Sequence, residues 1–137
     1  MAKPAERARR LLALQEQLHR VEHWKLLDLQ RRGAELAAER EALIAALNDD
    51  DALQGLFLAA RARRLTSLAQ EADSVTRATV AQGVVVGEQA TRVACAERHR
   101  DGVVVVARRQ GERQALGEVI DTLVAGATQA SRKIGPT

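Results

Sequence analysis

His19 and His23 stand four residues apart, the spacing that puts two imidazoles on one face of a helix, and Glu22 lies between them. Two imidazoles are only half a zinc site, and the remaining histidine, His99, is far along the chain, so a solvated helix face is the plainer reading. The triplet Asp49-Asp50-Asp51 gathers carboxylates without the spaced oxygens and glycine of a calcium loop. With Asn48, it suits the capping of a following helix, whose positive end favours acids. Gly83-Val84-Val85-Val86-Gly87 is followed by Glu88 where a phosphate loop needs lysine, and has one residue too few between its glycines. Glycines four apart fit a close approach of two helices better. Ser67, Ser74 and Ser131 have no nucleophile elbow around them, and Cys95 stands alone, with no partner for a disulfide and no catalytic context. These residues point to no enzyme, no cofactor and no metal.

Arginine is the other chemistry on offer, in the clusters Arg7/Arg9/Arg10, Arg61/Arg63/Arg64 and Arg108/Arg109/Arg113. Across 137 residues, 21 Lys and Arg face 18 Asp and Glu, a net charge of +3 in a densely charged chain rather than a polycation. Acids are interspersed throughout, and with one Trp, one Phe and no Tyr there is almost nothing to stack on a single strand, which argues against nucleic acid. Arginine's planar fork suits protein carboxylates equally well. Trp24, the sole tryptophan, falls off the leucine stripe described below and is a candidate interface anchor.

The elements that carry these residues follow from periodicity. A core short of rings and rich in Ala, Leu and Val suits thin helix-on-helix seams. Pro4 fits a first helical turn, so the sequence predicts a helix over 4–47, a turn at 48–51, a second helix over 52–130 and a frayed tail at 131–137. On a 3.6-residue wheel Leu11, Leu14, Leu18, Leu29, Leu36, Leu43 and Leu47 form one stripe with Val21 at its edge, interrupted by Lys25 and Arg32. In the second arm a heptad passes through Leu58, Leu65, Ala72, Thr79, Val86, Val93, Arg100 and Ala107. Its companion position holds Arg61, Leu68, Val75, Gln82, Gln89, Ala96, Val103 and Gln110. Cys95 lies outside this seam and should be partly exposed.

The fold class is all-α, a long antiparallel two-helix coiled-coil hairpin in one domain. The valine runs 84–86 and 103–106 have strand propensity, but the heptad runs through both and favours helix. Their glycines make Asp101-Gly102 the expected place for a helix break. A turn centred near 49 pairs residues whose numbers sum to about 98, which leaves the chain beyond roughly 95 without a partner on the first helix. Val103 to Val106, Leu116, Ile120 and Leu123 nevertheless offer apolar surface there. Either that segment folds back as a third helix, or it projects and docks on another protein.

The basic opening Arg7-Ala8-Arg9-Arg10-Leu11-Leu12-Ala13-Leu14-Gln15 and the late segment Ala107-Arg108-Arg109-Gln110-Gly111-Glu112-Arg113-Gln114-Ala115-Leu116 resemble the flagellar FliJ family and its type III secretion relatives. The resemblance covers most of the chain. It implies a coiled-coil stalk in the ring of the export ATPase, similar to the γ subunit of rotary ATPases, that also contacts the export gate. It further implies that Arg7, Arg9, Arg10, Arg108, Arg109 and Arg113 face the ring's lining. The chain departs from many relatives in lacking Tyr and in its valine runs and second-arm glycines, so no gate-binding residue is carried over.

Partner-binding candidates are these six arginines with Trp24, Leu116, Ile120 and Leu123. The rival readings are a scaffold that homo-oligomerises through the same surface and a helical nucleic-acid binder. With no apolar run near the ~20 residues of a membrane span and no disulfide framework, a soluble cytoplasmic protein is expected.

Overall fold

The computed structural model describes residues 3–49 and 54–133. Among these there is no strand: α1 runs Pro4–Asn48 and α2 runs Gln54–Lys133. α1 opens where the sequence places it. The amide of Arg7 donates to the Lys3 carbonyl at 3.1 Å, so Lys3 caps the helix and Pro4 occupies the first turn, where its missing N–H is no loss. α1 closes by tightening, with the Asp49 amide donating to Ala46 O at 3.4 Å. The rest of the predicted turn, 50–51, and the tail residues 134–137 lie outside the described residues. α2 runs from Gln54, with positions 52 and 53 of the expected second helix also outside the described residues, and continues past 130 to Lys133.

The expected break at Asp101-Gly102 is absent: α2 is helical through both valine runs and both flanking glycines. Glycine lowers helix propensity by only about 1 kcal/mol, and no backbone hydrogen bond is lost there, so neighbouring turns carry the helix through. The expectation of a third helix falls with the break. Threonines in α2 are absorbed by back-bonding; the hydroxyl of Thr79, for example, donates to Val75 O at 2.7 Å.

The chain divides into two units, residues 14–94 and residues 1–13 with 95–137. The first, the hairpin unit, is an antiparallel pair. Gln15 bonds Gln89, Glu22 bonds Gln82, Glu39 bonds Arg64 and Ala46 bonds Arg61. The first two pairs sum to 104 and the third to 103, against the expected 98, because the helices end at 48 and begin again at 54.

The α2 heptad is buried or half-buried at every seam position from Arg61 to Val93, with Leu68 fully enclosed. Leu58, the expected seam residue one heptad earlier, is exposed. On α1 only part of the leucine stripe faces inward. Leu29, Leu36, Leu43 and Leu47 do, whereas Leu14, Leu18 and Val21 are exposed and Gln15, His19, Glu22 and Leu26 take the seam. The cause is the period. A 3.6-residue wheel drifts by ~20° per heptad against a 3.5-residue seam, so leucines aligned on the wheel leave the contact after a few turns.

Among the glycines described, Gly33, not the Gly83 and Gly87 pair, is the one at close quarters. A Cβ there would meet Val75 Cγ1 at 3.7 Å, whereas at 83 and 87 it would meet nothing within 4 Å.

In the second unit, which carries both termini and is called the terminal unit here, the enclosed residues are Ala8, Leu12 and Ala96. Leu11, from the expected stripe, is exposed there too.

Candidate functional site

Packing along α2 stops abruptly. Val103 and Val104 are half-buried, but from Val105 to Arg132 every residue except Gly117 is exposed. The expected loss of a partner near residue 95 is therefore real but begins about two turns later, since Ala96 is buried and Arg100 half-buried. Seam positions Ala107 and Gln110 face solvent. Along this stretch Leu116, Val119, Ile120, Leu123 and Val124 are each at least half exposed, with Leu123 at 67 %. Their spacing gathers them on one side of the helix. Among the described residues none covers this stripe.

Where α1 begins, the terminal unit has an open groove of about 790 Å³. One wall is Lys3, Pro4 and Ala5, and the floor is the continued α2 seam, Val103, Ala107, Gln110 and Gln114. Arg98 and His99 stand at one end, and Val106 also lines it. Gly102 and Gly111 also line it, and a Cβ at either would meet nothing within 4 Å. The lining contains cations and no acid.

Charge is divided between the two units. By sequence the terminal unit holds eleven Lys and Arg against six Asp and Glu, a net +5, while the hairpin unit holds ten against twelve, a net −2. The whole excess of positive charge thus belongs to the unit with the groove and the stripe.

Nine of the ten sequence-predicted site residues fall in this unit: Arg7, Arg9 and Arg10 on the first turns of α1, and Arg108, Arg109, Arg113, Leu116, Ile120 and Leu123 on α2. All nine are exposed. Arg108 Nε lies 3.8 Å from Glu112 Oε1, a loose surface pair that leaves its charge available. Trp24 belongs to the hairpin unit, where it is 70 % exposed and off the seam, as its wheel position implies. Lys3, Arg98 and Gln114 were not legible as site residues. The signal that points to Gln114 is the heptad itself, followed one step past Gln110 to where α1 no longer covers it.

Several polar groups of the hairpin unit answer one another in internal pairs. Gln82 Nε2 donates to Glu22 Oε2 at 2.6 Å and to Glu22 O at 2.9 Å. These bonds, and then Lys25, hold the Glu22 carboxyl below its ordinary range. Arg64 donates to Glu39 Oε1 from Nε at 2.9 Å and Nη2 at 2.6 Å, which raises its affinity for its proton, and reaches Glu71 at 3.7 Å. Arg32 closes the chain of charges on Glu71 at 3.2 Å. These groups answer one another across the seam and are not free for a ligand.

His19 and His23 stack with ring centroids 6.3 Å apart, and among the described residues no cluster of three metal-ligating side chains occurs. Cys95 is exposed. Among the described residues no helix is long and apolar enough to cross a membrane. No family model matches the chain, and neither a curated protein nor a solved structure matches it.

Proposed function

We propose that the chain is a non-enzymatic docking protein that engages a larger protein assembly through the uncovered part of α2, in the manner the FliJ resemblance implies: a cytoplasmic stalk component of a flagellar or type III export apparatus, seated in the ring of its export ATPase. The observation that supports this reading is the exposed stripe Leu116, Val119, Ile120, Leu123 and Val124 on a stretch of helix that none of the described residues covers. Exposed apolar surface of this size carries a solvation cost that a partner removes. The six exposed arginines of the same unit, Arg7, Arg9, Arg10, Arg108, Arg109 and Arg113, add charge suited to acidic groups on a ring lining.

The test is co-elution of the purified chain with a type III export ATPase, with mass read by light scattering. Full-length protein should co-elute with the ATPase, and a chain lacking 105–137 should not, while its hairpin keeps its helicity. Co-elution unaffected by that deletion would defeat the stalk reading. A stable dimer or tetramer of the chain alone would favour the homo-oligomeric scaffold.

A further inference from the structure

The groove at the start of α1 is not a random hollow, because its floor is the α2 seam carried past the point where α1 ends its cover. Arg61 through Val103 are the seam residues in place. The next positions, Ala107, Gln110 and Gln114, keep the same three-and-four spacing and line the groove. A helix laid there against α2, in the line of α1, would meet the same kind of knob-and-hole surface that α1 itself meets. Gly102 and Gly111 also line the groove, and nothing lies within 4 Å of where a Cβ would stand at either, so a side chain added there projects into open space and can carry charge to the groove's edge.

The electrostatics specify which helix. The groove is lined by Lys3 and Arg98 and by no acid, and it belongs to the unit that carries +5. The positive end of the α1 dipole lies at the same wall, at Pro4. A second copy of the uncovered α2 segment is a poor match: from Arg98 to Lys133 it holds seven Lys and Arg against four Asp and Glu, so cation would meet cation. Nucleic acid is a poor match for another reason. The unit contains no Phe, Trp or Tyr to stack a base, and most of the residues lining the groove are apolar.

We propose that this groove receives an acidic amphipathic helix of a partner protein, packed on α2 as a continuation of the α1 line, with its apolar positions on Val103, Val106 and Ala107 and its carboxylates on Lys3 and Arg98. This rests on the docking reading above and names the chemistry of what docks.

A fluorescent peptide of about three heptads, with leucine at the seam positions and glutamate on the flanks, is the probe, titrated into the full chain by anisotropy. Its lysine counterpart and a short DNA duplex are the competitors. The glutamate peptide should bind and the lysine peptide should not. The double variant Gly102→Glu/Gly111→Glu should weaken binding at least about tenfold, since like charges then face each other. The isosteric Gly102→Gln/Gly111→Gln should change it by less than about threefold. Neither pair meets a neighbour, so both should keep the circular dichroism of the parent.

Equal losses in the two pairs overturn the requirement for acid. Undiminished binding in the glutamate pair, with loss in Leu116→Asp/Leu123→Asp, overturns the groove but leaves docking through α2 standing. Failure of the glutamate peptide to bind overturns the inference, and co-elution with the ATPase then judges the docking reading by itself. Displacement of the peptide by duplex DNA, or a stable dimer dispersed by the glutamate pair, overturns it in favour of nucleic acid or of a second copy.

Discussion

Gln89 of α2 donates its side-chain amide to Oε1 of Gln15 at 2.5 Å and to the backbone carbonyl of the same residue at 3.3 Å, from a position only 5 % exposed. One heptad away Gln82 makes the same double contact with Glu22. A buried polar pair is satisfied only when it faces its partner, so these two rungs tie the hairpin to one register, and a slip would leave them unpaired.

Removing one side of a rung should therefore cost more than removing both. Gln89→Leu is expected to lower unfolding free energy by about 1–3 kcal/mol by stranding Gln15. Adding Gln15→Leu should restore the parent stability or exceed it, because two apolar side chains can then pack. Urea denaturation of the four proteins of this cycle provides the measurement, and additive losses would show that the rung is not coupled.

Burial separates leucines that the helical wheel treats alike. Leu36 is 1 % exposed and Leu14 is 55 % exposed. Leu36→Ala should cost about 2–5 kcal/mol, whereas Leu14→Ala should stay within about 0.5 kcal/mol. Equal losses would mean that the α1 seam follows the wheel after all.

At Gly33 the Cβ of an alanine would sit in ordinary contact with Val75 Cγ1 at 3.7 Å. Gly33→Ala should thus raise stability by about 1 kcal/mol through helix propensity, visible as a higher thermal midpoint. A lower midpoint would show that the seam is tighter there than the distance implies.

Glu22 gives the hairpin a pH dependence of known sign. Its carboxyl is held below the ordinary value of 4.5 by the Gln82 bond and then by Lys25. The unfolded chain therefore binds the proton more readily, and the stabilisation is complete above about 4.5 and is lost as pH falls through the lower folded value. In Glu22→Gln the stability should fall less steeply over that acid range. Identical slopes for the two proteins, measured by urea denaturation at a series of pH values, would rule this out.

How much of this was legible in the residues depends on the helix. The α2 heptad from Arg61 to Val103 could be followed residue by residue, because seven-residue spacing of Leu, Ala, Val and Gln is a local property of the chain. The same holds for the exposed sites of Trp24 and Cys95, and for the exposed apolar surface at Leu116, Ile120 and Leu123. α1 was harder, since it offers two candidate faces. Leu11, Leu14 and Leu18 are the more hydrophobic choice, yet the structure turns them outward.

Sequence alone determined that the chain is helical, where α1 starts, and which face of α2 is the seam. Only the tertiary structure decided the register, the face of α1 that is buried and the residue at which α2 runs free. Those depend on the superhelical path of one helix around another and on polar side chains such as Gln89 and Gln15 finding each other, and neither is encoded in the spacing of a single helix. Gly102 makes the same point from the other side: its local preference for a break yields to the cooperativity of the turns around it.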